Sequence, residues 1–318
     1  VHRLSVECGP DIGPAGVGKK QTALALAHAV QCRESSQDGC GVCIGCVQIA
    51  AGTHPDLRVV GPEAGKQSIA IDQVRDLQRV LYLRPVQGKK KIAILEEAHL
   101  MTPQAQSALL KMIEEPPGDA LLVLLTLNSA TLSRPLLSRC QQVRFAPLPT
   151  PVIEEILVRT QDKDPATAHT LALYSRGSIG QALALDPEVF LEERRYVEEE
   201  LQKLDDASFV DLSRFAEWLV ADRVRKSAKN AEARERPSGS DRLAIVLSWY
   251  EEVLRYALLG TEGVVRHQEC LDTIAKLATK LGTEGTLRQL SVVYATIQAL
   301  GRNANRQLAV EDMLLQLK

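Results

Sequence analysis

Aromatic residues are scarce in this chain. They make up 4% of its 318 residues, with only 2 Trp and 4 Phe. β-sandwiches and propellers depend on many short strands rich in aromatic and β-branched residues, so this composition disfavours both folds. Apolar residues still reach 45% of the chain, which excludes a disordered or collagen-like protein. We therefore expect a globular protein built largely from Ala- and Leu-rich helices.

An excess of positive charge is also missing. The formal net charge is −2, so no overall positive field attracts the chain to nucleic acid or to anionic lipid. A protein that binds DNA by itself usually carries a basic surface. Any contact with nucleic acid is therefore expected to be local or to depend on partner proteins.

Long apolar runs are absent as well. The longest strongly apolar run covers Leu121 to Leu125, far short of the roughly 20 residues that span a bilayer. No basic segment followed by an apolar one opens the given sequence, as a secretory leader would. The expectation is a cytoplasmic protein with no membrane partner.

The seven cysteines are unevenly spread along the chain. Four of them fall within a single loop of fifteen positions: Cys32, Cys40, Cys43 and Cys46. Four thiolates can form a closed tetrahedral Zn²⁺ site. Because no position is left for a catalytic water, the predicted zinc is structural and folds the loop. An iron–sulfur cluster and four free thiols are the alternatives for the same residues.

Strand and helix patterns alternate through residues 1–148, which is typical of a parallel α/β fold. The predicted strands are Leu57–Val60, Lys91–Leu95, Leu121–Thr126 and Gln142–Phe145. The second and third are apolar on both faces, as buried parallel strands are. The predicted helices are Thr22–Val30, Asp72–Leu83 and Pro103–Ile113, the last with Thr102 as its N-cap and with an end at Pro116 and Pro117.

Every periodic segment after residue 148 is helical. Short helices are predicted across residues 149–186, and longer ones such as Leu243–Leu259 and Leu287–Leu300 across residues 187–318. The polar segment Ala228–Ser240 is predicted to be a loop between two helices. Periodicity shows that the helices bury one face, but not whether that face packs against the same chain or against neighbours.

Residues Gly13 to Lys20 read GPAGVGKK and match the phosphate-loop pattern G-x-x-x-x-G-K up to its last position. In such a loop, Gly13, Gly16 and Gly18 allow backbone N–H groups to surround phosphates, and Lys19 contacts the terminal phosphates. The pattern predicts descent from a nucleotide-binding loop. The alternative is a glycine-rich turn that binds nothing.

Lys20 occupies the position of the Ser or Thr whose hydroxyl binds Mg²⁺. An ammonium group can only donate hydrogen bonds, and it repels a divalent cation. Glu96 and Glu97 follow a predicted strand where a P-loop ATPase places its metal-holding Asp and its water-polarising Glu. Hydrolysis needs Mg²⁺ across the β and γ phosphates, so we expect little or no intrinsic ATPase activity. Whether ATP still binds is left open.

The lysine run 89–91 and His54 are both predicted to have structural rather than functional roles. The basic run Lys89, Lys90 and Lys91 is predicted to be a solvated strand end that prevents edge pairing, rather than a DNA contact. His54 lies near the cysteine loop, but four cysteines already complete a zinc shell, so His54 is interpreted as a turn residue before Pro55.

Several segments resemble the AAA+ clamp-loader family of bacterial DNA polymerase III, and in particular its delta-prime type. In chain order they are the phosphate loop, the four-cysteine insertion, Ala51–Leu57 (AGTHPDL), Ile71–Arg75 (IDQVR), Ala108–Pro117 (ALLKMIEEPP) and Ser138–Cys140 (SRC). The likeness covers most of residues 9–185 and returns weakly at residues 302–308.

The resemblance implies three domains: an α/β AAA+ P-loop domain over residues 1–148 with the zinc loop 32–46 inserted, a helical lid over 149–186, and an all-α collar over 187–318. It also implies partners, namely motor and delta subunits in an open ring, the sliding clamp and primed DNA. In this family the ring loads the clamp for the DNA polymerase holoenzyme. The delta-prime type is a rigid stator that does not hydrolyse ATP.

Arg139, within the Ser-Arg-Cys segment, resembles an arginine finger that reaches the ATP site of an adjacent motor subunit. A planar guanidinium that is always charged suits the γ-phosphate during transfer. The alternative is an arginine in an ion pair at the end of a helix.

Gly180 stands where active relatives carry an arginine, which agrees with lost hydrolysis. Relatives also have a longer stretch before the phosphate loop than Val1 to Ile12, which predicts a truncated or misassigned start and weaker nucleotide binding.

Two other functions stay open at this point. The first is an active ATPase motor of the gamma/tau type from the same complex, which Lys20, Glu96 and Gly180 disfavour. The second is a zinc-dependent nucleic-acid-binding module that acts alone, which the slightly acidic charge balance disfavours.

Overall fold

The structure is a computed structural model. It describes residues 2–7, 15–34, 38–63, 65–114, 120–221, 239–263, 267–300 and 304–318. Several predictions concern residues outside these ranges: Gly13 of the phosphate loop, the helix end at Pro116 and Pro117, and most of the loop Ala228–Ser240.

Parallel strands form one sheet in the described part of the chain. The strands are β1 His2–Glu7, β2 Leu57–Val60, β3 Lys91–Leu95, β4 Ala120–Thr126 and β5 Gln141–Arg144. Their order across the sheet is β2-β3-β4-β1-β5, and every neighbouring pair is parallel. All residues of β3 and β4 are buried, as their continuous apolar runs predict.

The four predicted strands are confirmed to within one residue at each end, whereas β1 was not predicted. Its sequence, HRLSVE, mixes polar and apolar residues without a strong strand signal. The segment becomes a strand because β4 pairs with it on one side and β5 on the other. Tertiary pairing, rather than local preference, determines its conformation.

Helices cover both faces of the sheet. They are α1 Lys19–Gln31, α2 Ile44–Ala50, α3 Ile71–Leu81, α4 Pro103–Glu114 and α5 Arg134–Leu137. Thr102 is confirmed as the N-cap of α4, since its hydroxyl accepts a hydrogen bond from the Ala105 backbone N–H at 3.2 Å. On one face, α3 and α4 pack against Ala93 and Leu122. On the other, α1 packs against Ile92 and Val123.

The chain folds as two compact units. The first comprises Val1–Ile153 and Arg176–Gln181, and the second comprises Glu154–Ser175 and Ala182–Lys318. The described helices from residue 150 onward are α6 Thr150–Gln161, α7 Pro165–Tyr174, α8 Ile179–Ala184, α9 Pro187–Gln202, α10 Phe209–Val220, α11 Gly239–Leu259, α12 Leu271–Leu300 and α13 Arg306–Leu317. A division into three domains at residues 148 and 186 stays a prediction.

A buried ion pair joins two helices of the second unit. Arg242 on α11 donates from Nε and Nη2 to the two carboxylate oxygens of Glu193 on α9, at 2.9 and 2.8 Å. Its guanidinium also lies 4.3 Å from the ring centre of Trp218. A buried charge without its partner costs several kcal/mol, so this pair fixes how α9 and α11 pack.

Every helix in the described part of the chain is too short or too polar to traverse a lipid bilayer.

Candidate functional site

The described part of the phosphate loop, residues 15–20, leads directly into α1. Gly16 and Gly18 have φ angles of 86° and 94°, a left-handed backbone that favours glycine. Lys19 is the first residue of α1, and its side chain is buried. A helix that starts in such a loop directs backbone N–H groups toward an anion. The described backbone thus agrees with a phosphate loop, and nucleotide binding by it stays a prediction.

Lys20 and Glu96 form an ion pair, with 2.8 Å between Nζ and Oε1. Glu96 directly follows β3, and its backbone N–H donates to the Val60 carbonyl at 2.8 Å. The nearby Thr22 hydroxyl donates to the Gly18 carbonyl at 3.1 Å, so it does not take over the role of the missing Ser or Thr. Mg²⁺ requires oxygen ligands and is repelled by an ammonium group. The residues present therefore do not fit the Mg²⁺ site of a P-loop ATPase.

The segment around Gly180 lies directly against the phosphate loop. The Gly180 backbone N–H donates to the Gly16 carbonyl at 2.8 Å, and the Ser178 hydroxyl donates to the Ala15 carbonyl at 2.5 Å. A Cβ atom on Gly180 would lie 2.9 Å from the Gly16 Cα atom, closer than real Cβ contacts come. An arginine at position 180 is therefore incompatible with this backbone arrangement.

His99 lies near this site, and no role was predicted for it from the sequence. Burial lowers the pKa of its imidazole, the positive charge of Lys19 lowers it further, and Glu97 opposes the shift. Its Nδ1 atom is buried with no hydrogen-bond partner among the described residues. Glu97 itself has a left-handed backbone, with a φ angle of 49°. The feature of the sequence that could have drawn attention to Glu97 and His99 is their position just after a buried strand.

The four predicted zinc ligands come together. The Sγ atoms of Cys32, Cys40, Cys43 and Cys46 all lie within 4.8 Å of one another, and those of Cys40 and Cys46 are 4.0 Å apart. Sulfur atoms around a tetrahedral zinc with Zn–S bonds of about 2.3 Å lie about 3.8 Å from each other. The donor set and its spacing therefore fit a closed tetrahedral metal site. No disulfide bond links the cysteines that the structure describes.

Backbone N–H groups support the sulfur atoms of this cluster. Cys43 donates from its backbone to the Cys40 Sγ at 3.3 Å, and Cys40 donates to the Cys32 Sγ at 3.5 Å. The Cys46 backbone lowers the pKa of the Cys43 thiol. Burial, in contrast, raises the pKa of the Cys46 thiol to about 12. Without a cation, the four thiols are therefore not all ionised at neutral pH, and metal binding is coupled to proton release.

A buried ion pair fixes the loop that precedes β3. The Asp56 carboxylate accepts hydrogen bonds from the backbone of Val86, Gln87 and Gly88, and from Lys91 Nζ at 2.8 Å. Burial alone would raise the pKa of Asp56, but Lys91 and these backbone groups hold it well below its ordinary range. The prediction of a solvated strand end was wrong for Lys91, because β3 is an internal strand and this side chain is only 4% exposed.

The same loop is tied to the start of the cysteine loop. Lys89 donates from Nζ to the Cys32 carbonyl at 2.7 Å, and Gln31 donates from Nε2 to the Lys90 carbonyl at 2.6 Å. His54 is buried in the turn before β2, and its Nδ1 accepts from the Asp56 backbone N–H at 3.1 Å. The cysteine cluster is thus anchored on the sheet through the residues around Asp56.

Arg139 lies two residues before β5, in the bend that follows α5. Its side chain is 38% exposed and forms an ion pair with Glu114, with 2.9 Å between Nη2 and Oε1. Cys140 is partly buried against the core of the first unit. The structure brings together the four cysteines and places Lys20 beside Glu96, but Arg139 belongs to neither group.

Arg139 and the phosphate loop lie at opposite ends of the parallel strands. Glu96, which pairs with Lys20, follows the carboxyl end of β3, whereas Arg139 precedes the amino end of β5. The strands are parallel, so one position lies at their carboxyl ends and the other at their amino ends, separated by a strand length of roughly 10 Å or more. Arg139 is therefore positioned away from the phosphate loop of its own chain.

Comparisons with known proteins agree with the resemblance. The family described as "DNA polymerase III, delta subunit" matches residues 12–149. The chain is 31% identical over 313 residues to DNA polymerase III subunit delta' of Pseudomonas aeruginosa, which covers 96% of this chain and 89% of that protein. For the Bacillus subtilis subunit delta', the identity is 30% over 307 residues, with the same coverage of 96% and 89%.

Similarity extends to a second kind of subunit over a shorter range. DNA polymerase III subunit gamma/tau of Mycoplasma pneumoniae is 30% identical over 174 residues, or 55% of this chain and 25% of that protein. A solved gamma subunit-related protein from Thermotoga maritima has a TM-score of 0.43 and 16% identity, and covers 99% of this chain and 94% of that chain. A structural similarity of that size supports no conclusion.

These matches place the chain among the subunits of DNA polymerase III. Within this group, identities of 30% and 31% across 96% of the chain are decisive. The chain belongs to the delta' family of DNA polymerase III.

Proposed function

We propose that this chain is the stator subunit of a DNA polymerase III clamp loader. It hydrolyses no ATP itself and supplies Arg139 to the ATP site of a neighbouring motor subunit of the gamma/tau type. In this role it acts in the cytoplasm with motor and delta subunits to load a sliding clamp onto primed DNA. Residues 149–186 then form its lid and residues 187–318 the collar that joins the other subunits.

The ion pair between Lys20 and Glu96 is the observation that carries this proposal. A P-loop ATPase needs a hydroxyl and a carboxylate at these two positions to hold Mg²⁺ across the β and γ phosphates. Here an ammonium group has replaced the hydroxyl and binds the carboxylate. This arrangement supports a chain that keeps the fold of an ATPase without its metal chemistry.

The contact between Gly16 and Gly180 favours a stator over a motor subunit. An arginine at position 180 would complete the active site of the related motors, but a Cβ atom there would lie 2.9 Å from the Gly16 Cα atom. This contact supports the stator over the alternative of an active gamma/tau-type ATPase. The hydrogen bonds that the Gly180 backbone N–H and the Ser178 hydroxyl donate to the loop also favour one fixed arrangement around it.

The location of Arg139 supports action on a neighbour. The guanidinium is partly exposed, and it lies at the sheet edge opposite to the phosphate loop of its own chain. A side chain in this position serves an ATP site only when a second subunit presents one. Its permanent positive charge then stabilises the charge that develops on the transferred phosphoryl group.

The cysteine cluster supports a structural zinc in this account. Cys32, Cys40, Cys43 and Cys46 would hold the ion, and all four positions of a tetrahedral site would be filled. When bound, zinc supplies folding energy to the loop rather than chemistry on a substrate.

The function is tested by reconstitution. The chain is mixed with gamma/tau-type motor and delta subunits, the complex is purified, and its ATP turnover is measured with clamp and primed DNA. We expect Arg139→Ala to remove turnover at the adjacent site, where such fingers contribute roughly 10³- to 10⁵-fold in rate. We expect Arg139→Lys not to restore it, because an ammonium group lacks the planar fork.

Arg134→Ala is the matched control, since Arg134 is an exposed arginine on the neighbouring α5 outside the Ser-Arg-Cys segment. Both variants must assemble into the complex to the same extent as the parent chain. An unchanged rate for the assembled Arg139→Ala complex would remove the finger hypothesis.

A further inference from the structure

The guanidinium of Arg139 is held at two points of its own chain. Nη2 pairs with Glu114 Oε1 at 2.9 Å, and Nη1 donates to the Pro135 carbonyl at 3.0 Å. A guanidinium has five N–H donors in a fixed planar fork. The two contacts take one N–H from each of the terminal nitrogens Nη1 and Nη2, and the side chain stays 38% exposed. Donors remain for an acceptor that arrives from outside.

Rigid elements position both partners. Glu114 is the last residue of α4, and Arg139 follows α5, whose Leu136 packs in the same core cluster as Leu109 of α4. Gln106 of α4 also bridges to the segment before α5, since its Oε1 accepts from the Ser133 backbone N–H at 2.8 Å. The separation between Glu114 and Arg139 is therefore set by the packing of α4 and α5.

The Pro135 carbonyl forms the second fixed point. It accepts hydrogen bonds from the Arg139 guanidinium and from the Ser138 hydroxyl, both at 3.0 Å. The Arg139 backbone N–H donates to the Leu136 carbonyl at 3.2 Å. The arginine thus leaves the bend with its backbone and one guanidinium nitrogen already fixed, and Glu114 determines the remaining rotation of the guanidinium plane.

We propose that Glu114 is a positioning residue for Arg139. This inference rests on the proposed function, in which Arg139 acts on the ATP of a neighbouring subunit. Glu114 pairs with Nη2 and fixes the guanidinium plane before the neighbour arrives, while the partly exposed side chain keeps N–H donors for the phosphate. A long side chain that is oriented in advance loses less freedom when it engages the phosphate, which favours the transition state.

The test uses the full chain in the reconstituted complex of motor and delta subunits, with clamp and primed DNA present. The variants are Glu114→Ala, Glu114→Asp, Arg139→Ala and the double variant Glu114→Ala/Arg139→Ala. Asp76→Ala is the matched control, because it removes an exposed ion pair with Arg79 on α3 of the same unit. The kcat and KM for ATP are measured for each complex.

We expect Glu114→Ala to lower kcat about two- to fivefold, the size typical of an exposed ion pair, while KM and assembly stay unchanged. Glu114→Asp restores part of the loss, since a carboxylate is retained. In the Arg139→Ala background, Glu114→Ala has no further effect, because the residue acts only through Arg139. Asp76→Ala leaves kcat at the parent value.

The outcomes separate the two proposals. If Arg139→Ala lowers kcat but Glu114→Ala does not, the inference about Glu114 is wrong and the proposed function stands. An equal loss from Glu114→Ala with and without Arg139 also overturns the inference, because it shows an independent structural effect. If Arg139→Ala itself changes nothing, the proposed function fails, and the role of Glu114 fails with it.

Discussion

The ammonium nitrogen of Lys20 lies 2.8 Å from Oε1 of Glu96. One residue stands where a P-loop ATPase has its metal-binding hydroxyl, and the other where it has its metal-binding carboxylate. The pair therefore supplies a positive charge from within the chain at the position where other members of this fold recruit Mg²⁺.

Replacing Lys20 by Thr should create a divalent-cation site. The change removes the ammonium group and supplies the missing hydroxyl next to Glu96. A unit charge at about 4 Å is worth roughly 1–4 kcal/mol, so we expect Mn²⁺ to bind at least about tenfold more tightly in the presence of ATP. Electron paramagnetic resonance of free Mn²⁺ measures this affinity. Lys20→Met is the control, because it removes the charge but adds no ligand. Equal Mn²⁺ binding by the parent chain would contradict the account.

Adding a methyl group at position 180 should destabilise the first unit. In Gly180→Ala the new Cβ atom meets the Gly16 Cα atom at 2.9 Å, and overpacking of this kind costs about 1–3 kcal/mol. Thermal unfolding of the purified chain measures the loss. Gly61→Ala is a suitable control, since its Cβ atom would have an ordinary contact of 3.6 Å with Glu96. A Gly180→Ala chain as stable as the parent would show that the two segments do not touch in solution.

Metal analysis should find about one zinc ion per chain, held by the four clustered cysteines. Cys43→Ser or Cys46→Ser is expected to lower the zinc content and the melting temperature, because each removes one of the four ligands. Cys140→Ser is expected to retain the metal, since Cys140 lies outside the cluster. Inductively coupled plasma mass spectrometry distinguishes the outcomes. Stoichiometric iron with visible absorbance, or a full zinc content in Cys43→Ser, would refute the assignment.

The pair of Asp56 and Lys91 should make stability depend on pH. Asp56→Asn leaves the Lys91 ammonium group buried without a counter-charge, which costs about 3–5 kcal/mol at pH 7. In the folded chain the pKa of Asp56 lies below its ordinary value of 3.8, so its contribution is complete above pH 3.8 and declines as the pH falls below that value. The difference in unfolding free energy between parent and variant should therefore narrow in acid.

Urea unfolding at several pH values measures this difference. Asp72→Asn is the control, because the Asp72 side chain is 81% exposed and its loss should change stability by less than about 1 kcal/mol. A constant difference between the parent chain and Asp56→Asn from neutral to acid pH would show that Asp56 is not held in its charged form.

Local patterns in the sequence were sufficient for part of the structure. The continuous apolar runs of β3 and β4 predicted two buried strands, and the spacing of the cysteines predicted that four thiols meet. Thr102 before Pro103 predicted the start of α4. In each case the deciding signal lies within one element or one loop, where spacing alone determines which side chains meet.

Other features depend on residues that are distant in the chain. The burial of Lys91 follows from β3 being an internal strand and from its pairing with Asp56, and a run of three lysines gives no indication of either. The contact of Gly180 with Gly16 and the pairing of Glu114 with Arg139 arise in the same way, from packing between separate segments. The strand β1 was missed because its neighbours, rather than its own residues, determine its conformation.

ATP turnover by the purified chain, with Mg²⁺ and in the absence of every other subunit, tests the central claim most directly. The account predicts no turnover above background, and no difference between the parent chain and Lys19→Ala. Turnover that depends on Mg²⁺ and disappears in Lys19→Ala would show an ATPase that works by itself, and would contradict the account.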